Sequence, residues 1–155
     1  MSENTLNIAA SELKVANIVV DEFHFKKGEQ FSESVYSNGS THVEYNHDLE
    51  QWVGFVCLSI RTGMEETAES KPLHQIQVFM HGIYSLRRKN TPEEKEAFHK
   101  LLRTTGAFNV LAAMRAIVLA ATSALGLAPG YITPFWNLAN YKWDPDPWEN
   151  NSSQE

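Results

Sequence analysis

The chain has 155 residues, of which 43% are hydrophobic and 21% charged, which suits one soluble globular domain with a modest core. Thirteen basic against nineteen acidic side chains leave a net charge of −6, and this disfavours nucleic acid as the main partner because phosphate binding needs a basic footprint. The single cysteine, Cys57, excludes an intrachain disulfide and a cysteine-rich zinc site.

Residues 1–12 are polar and read as a flexible N-terminus. They lack a basic stretch followed by an apolar one, so no secretory signal is expected; with one thiol, the cytoplasm is the expected location. In "LKVANIVVDEFHF" the apolar residues Leu13, Val15, Val19, Phe23 and Phe25 alternate, which predicts a long half-buried strand with a bulge near Asn17. "KKGEQ" and "SNGS" read as turns, the second because Asn-Gly favours positive φ. "THVEYNHDL" alternates more loosely and reads as a second strand. "EQWVGFVCLSIRT" carries Trp52, Val56, Leu58 and Ile60 on one face, with Val53, Phe55 and Cys57 on the other, so both faces call for cover. An acidic loop containing Glu65 and Glu66 follows. "LHQIQVFMHGIYSL" is a fourth strand with Ile76, Val78, Met80, Tyr84 and Leu86 on one face. Short links between four strands predict an antiparallel sheet.

The apolar period then changes from two to 3.6 residues. Thr91-Pro92-Glu93-Glu94 is a helix start: Thr91 as N-cap, Pro92 at the first position, Glu94 completing a capping box. A helix to about Arg103 is expected, interrupted at Gly106, then a second from Ala107 to Leu125 ended by Gly126, Pro129 and Gly130. Strands first and helices last give an α+β class: a four-stranded antiparallel sheet followed by a long helix packed on one of its faces. The domain is expected over residues 13–143, with a flexible acidic tail over 144–155.

The segment "GAFNVLAAMRAIVLAATSALG" is apolar on nearly every side. It is long enough to span a bilayer, but Arg115 at its centre would cost about 2.5–3.5 kcal/mol there, so membrane insertion is not expected. Phe108, Leu111, Met114, Val118 and Leu125 can cover the sheet at helical spacing. Ala113, Arg115, Ala116, Ile117, Ala120, Ala121 and Ala124 then lie on other sides, and a second copy of the chain is expected to cover them. Arg115 needs a carboxylate or carbonyl partner.

No motif asks for catalysis. His42 and His47 point to opposite sides of a strand and form no chelating pair, the other histidines read as isolated, and no cysteine–histidine pairing or phosphate loop is apparent. The chain is therefore expected to be no enzyme, with no cofactor and no metal. What stands out instead is the Pro-interrupted aromatic run "YITPFWNLANYKW", whose Tyr131, Ile132, Phe135, Trp136, Leu138, Tyr141 and Trp143 either pack the loop onto the sheet or form a groove wall for apolar client segments.

The ordered set of "LKVANIVVDEFHF", "IQVFMHGIYSL", "GAFNVLAAMRAIVLAATSALG" and "YITPFWNLANY" resembles the SecB family of export chaperones over about residues 13–141. The resemblance implies an ATP-independent holdase that binds unfolded or non-native polypeptides in long hydrophobic grooves and assembles as a homotetramer, a dimer of dimers. By position it places Ile76, Val78 and Met80 toward the helix layer. Val43 and Tyr45, with Tyr131, Ile132, Phe135, Trp136 and Leu138, would line the client groove. It also implies docking to the translocation motor SecA through acidic positions, of which Glu22 keeps one while Lys26 and Gln77 occupy two others. A SecB-like chaperone dedicated to another client, such as an antitoxin, is the alternative within the family. A small-ligand-binding or enzymatic α+β oligomer is the alternative outside it.

Overall fold

The computed structural model describes residues 12–64, 71–133 and 141–149. Four strands, β1 (Lys14–Lys26), β2 (Val35–Asn46), β3 (Gln51–Thr62) and β4 (Gln75–Leu86), form one antiparallel sheet in the order β1-β4-β3-β2. The first strand therefore closes against the last, and β1 and β2 are the sheet edges. Two register shifts interrupt β1, between Val15 and Asn17, where the sequence predicts a bulge, and between Val20 and Glu22. The second pushes Asp21 out of the ladder.

Asn38-Gly39 is not a turn. The pair lies inside β2, opposite Ser59 and Leu58, and the chain reverses later, at 47–50. There the Asn46 side-chain oxygen accepts the Leu49 amide at 3.0 Å, and Glu50 takes the positive φ that Asn-Gly suggested for the earlier site.

The alternation in β3 and β4 sorts their side chains as expected. Trp52, Val56 and Ile60, with Ile76, Val78, Met80, Tyr84 and Leu86, are buried on one face of the sheet. Each contributes about 1.5–3 kcal/mol through removal from water. A helix covers this face. Thr91 accepts the Glu94 amide at 3.2 Å as its N-cap, with Pro92 in the first turn, and α1 (Pro92–Leu101) follows. It packs so closely that a Cβ on Gly54 would lie 2.5 Å from Leu102 and 2.7 Å from Phe98.

Gly106 does not interrupt the helix. Residues Leu102–Gly106 form a π-helical turn that leads directly into α2 (Ala107–Ala124), so the helix is continuous. The wider turn inserts one residue into the helical phase. This is why Phe108, seven residues beyond buried Leu101, points outward with 53% of its surface exposed while Ala107, Val110, Leu111, Met114 and Val118 face the sheet. Leu125 does not cover the sheet either and is 55% exposed, because it lies past the last helical residue. Gly126 at φ 99° and the bonds Gly126 N→Ser123 O and Leu127 N→Thr122 O form a Schellman stop, which turns Leu127 inward in place of Leu125.

The helix runs diagonally. The α1 half lies over β2 and β3, whereas α2 lies over β3, β4 and β1. The part of β2 around Ser37 and Gly39 is therefore left beyond the helix, and other residues cover it.

Candidate functional site

The tail expected to be loose from residue 144 is instead placed, through Glu149, along the outer edge of β2. Residues 141–146 run parallel to this strand, with Tyr141 and Trp143 on one side of it and Asp146 on the other, and a turn at 147–149 follows. On the helix side the Tyr141 hydroxyl meets Ser37 Oγ at 3.1 Å, and Trp143 packs edge-on against Tyr141 with ring centres 5.0 Å apart. The guanidinium of Arg103 lies 5.9 Å above the Trp143 ring, and Arg103 Nε also donates to Thr41 Oγ1 at 3.2 Å. Gly39 makes room for this: a Cβ there would sit 2.9 Å from Leu58, Trp143 and Tyr141 alike. The glycine read as a turn residue is in fact a seat for aromatic rings.

At Asp144 the backbone amide donates to Gly39 O at 2.8 Å. Beyond it the segment engages the opposite face of the sheet. The Asp146 carboxylate lies 2.6 Å from His42 Nδ1 and keeps only 7% of its side-chain surface, while His42 Nε2 faces Glu44 at 2.8 Å. Burial pushes the Asp146 carboxyl up, but the Trp148 amide and the His42 imidazole together outweigh it and hold the group below its ordinary value. Trp148 then closes edge-on over His42 and Phe55, at 4.4 and 5.6 Å between ring centres. This gives the outer face of β3 part of the cover that Val53, Phe55 and Cys57 call for.

Next to this strip is an open concavity of about 500 Å³ lined by Asp21, Glu22, Cys57, Ser59, Phe79 and Asp144. Register places Cys57 opposite His81, whose Nδ1 lies 2.8 Å from Asp21, so the three residues share one neighbourhood of the sheet. It forms across three strands, and no sequence spacing announces it. Burial pushes the Cys57 thiol up and the Asp21 carboxylate pushes it further, so the group is held as a weak nucleophile. Among the described residues no group of His, Cys, Asp and Glu is arranged to hold a metal ion.

A second aromatic patch forms at the far end of the helix. Phe31 packs between His74 and Tyr131, at 4.7 and 5.4 Å between ring centres. The β1–β2 link is tied down here by Gly28 N→His74 Nδ1 at 2.9 Å and by Glu29 N→Pro72 O at 2.8 Å.

No family model matches the sequence, and no curated protein matches it. Solved structures do. A SecB-like chaperone of Mycobacterium tuberculosis, in complex with a peptide from the HigA1 antitoxin, superposes with a TM-score of 0.53 at 13% identity, over 83% of this chain and 93% of that one. The fold is SecB-like. A Streptococcus agalactiae protein of unknown function matches with a TM-score of 0.48 at 12% identity, over 80% of this chain and 98% of its own.

On this SecB-like scaffold the expected groove residues separate. Val43 is buried in the core with Phe98 and Leu102, and Tyr131 is buried beside Phe31, so neither offers an open wall. Val43 shares the helix-facing side of β2 with Thr41 and lies under α1. Tyr45 is half-buried edge-on to Trp52, and Ile132 is exposed. Phe135, Trp136 and Leu138 lie outside the described residues. Of the helix residues assigned to a partner copy, Ala116, Ile117, Ala120 and Ala124 are exposed, and Ala113, Arg115 and Ala121 are half-buried. Arg115 finds the carbonyl it requires within the chain: its Nε donates to Thr133 O at 2.6 Å. Glu22 is exposed on β1 and lies 3.2 Å from His24.

Sequence reasoning missed Ser37, Gly39, Thr41, His42 and Asp146 as members of one strip. The only available signal was the Tyr-x-Trp-Asp-Pro-Asp-Pro-Trp run, whose aromatic and acidic residues fit a surface better than a solvated tail.

Proposed function

We propose that the protein is an ATP-independent holdase that binds extended segments of non-native polypeptides beside β2. The observation that carries this reading is the strip itself. It holds an extended stretch of chain, seats aromatic side chains over Ser37 and Gly39, and takes up little backbone hydrogen bonding. Many small apolar contacts of about 25 cal/mol per Å² suit weak, sequence-tolerant capture better than readout of one ligand. A chaperone of the same fold was solved with an antitoxin peptide, which supports polypeptide clients. Retention of Glu22 alone, with Lys26 and Gln77 at two other docking positions, favours clients outside SecA-linked export.

The outward face of α2 supports self-association. Phe108, Ile117 and Leu119 are exposed along a helix long and apolar enough, by composition only, to cross a membrane, with Leu125 exposed just past its end, and a third of that apolar stretch is buried. A second copy gives this face cover, and a homotetramer is the assembly we assign. The test is light scattering from a reduced, aggregating protein without ATP. Stoichiometric amounts should suppress its aggregation; an unchanged rate overturns the reading.

A further inference from the structure

We propose that residues 141–149 are a built-in occupant of the groove, a segment that a client must displace. This rests on the client-binding reading above. Over residues 141–146 the segment makes the contacts expected of a bound extended peptide, Tyr141 and Trp143 on the helix side and a carboxylate at Asp146 on His42, and the turn that follows sets Trp148 over Phe55.

The occupant is also built to leave. Residues 141–149 do not join β2 as a fifth strand, and Pro145 and Pro147 leave no amides on the outer side for a further strand to pair with. Among the described residues, Asp144 N→Gly39 O is the one backbone bond recorded between them. Trp148 keeps 47% of its surface exposed, and Lys95 reaches Glu149 only at 4.0 Å in an exposed pair that contributes little. A client that pairs with β2 as a regular strand can form ladder bonds that this segment does not make. Being on the same chain, however, the occupant competes at an effective concentration on the order of millimolar. Segments that bind too weakly to displace it are therefore excluded.

The test uses the full chain and a reduced, carboxymethylated lactalbumin as client. Asp146→Asn combined with Trp148→Ala should tighten client binding by about tenfold, as expected if the open groove is populated about a tenth of the time in the unsubstituted chain. In the unsubstituted protein, adding client should raise amide exchange in residues 141–149 while β2 stays protected. A synthetic peptide of residues 141–149 should compete with the client on the substituted chain. If the client binds but affinity and exchange are unchanged, the occupant proposal fails and the holdase reading stands. If neither protein binds the client, both fail.

Discussion

The Tyr84 hydroxyl donates a 2.7 Å hydrogen bond to the carbonyl of Gly106, joining the C-terminal end of β4 to the π-helical turn above it. Both groups are buried, and the bond satisfies a carbonyl at the point where the helix changes its hydrogen-bonding period.

Tyr84→Phe removes this donor while keeping the ring. A stability loss of about 1–3 kcal/mol is expected, because the Gly106 carbonyl stays buried without its partner. Calorimetry should show Tm falling by about 2–4 °C for each kcal/mol lost. Burial pushes the Tyr84 hydroxyl up to about 12, with a bond to Asn109 offsetting part of the effect. The protonated form is thus favoured by folding. Its contribution is complete below the ordinary tyrosine value and lost as pH rises through about 12. The Phe variant should lose this part of the alkaline transition.

An acid limb is expected from the opposite sign. His74 is 6% exposed and its Nδ1 accepts the Gly28 amide, so the ring must be neutral. Burial and then Lys27 hold its pKa below the ordinary value; burial and then Arg103 do the same to His99. Both contributions are present above a pH of about 6.5 and lost as pH falls through the lower folded values. Tm should drop on acidification from neutrality. His74→Asn, whose side-chain oxygen can replace Nδ1 as acceptor, should flatten that drop, and an unchanged acid limb excludes His74 as its source.

Much of this arrangement was legible in the chain. Period-two patterning in β3 and β4, the bulge near Asn17, the Thr91-Pro92 start and the Gly126 stop are all local signals, and local physics decides them. Gly39, Phe108 and Asp146 were misread for a shared reason. Their surroundings come from residues far away in sequence: Trp143 over Gly39, the π turn ahead of Phe108, His42 under Asp146. No window of a few residues contains those partners.

Gly54→Ala tests how tightly the helix sits. The added carbon meets Leu102 and Phe98 well inside contact distance, so a loss of about 1–3 kcal/mol is expected with helix content retained by circular dichroism. A variant as stable as the parent would mean that the helix can rise off β3 freely.

Ala120→Glu addresses self-association. The position is exposed, so within one chain the change should cost less than about 0.5 kcal/mol. Sedimentation of the parent should give four times 17.5 kDa and the variant smaller species. Equal masses for the two would place the contact elsewhere on the surface.

The π turn acts like a frameshift written into three dimensions. One residue added at 102–106 decides which side chains of the following eighteen are hidden and which are offered to a neighbour. The chain thus need not encode its outward face in the identity of each residue along α2. The face is set at the hinge of phase, and a helix of ordinary pitch with the same residues would turn Phe108 inward and present a different surface to the world.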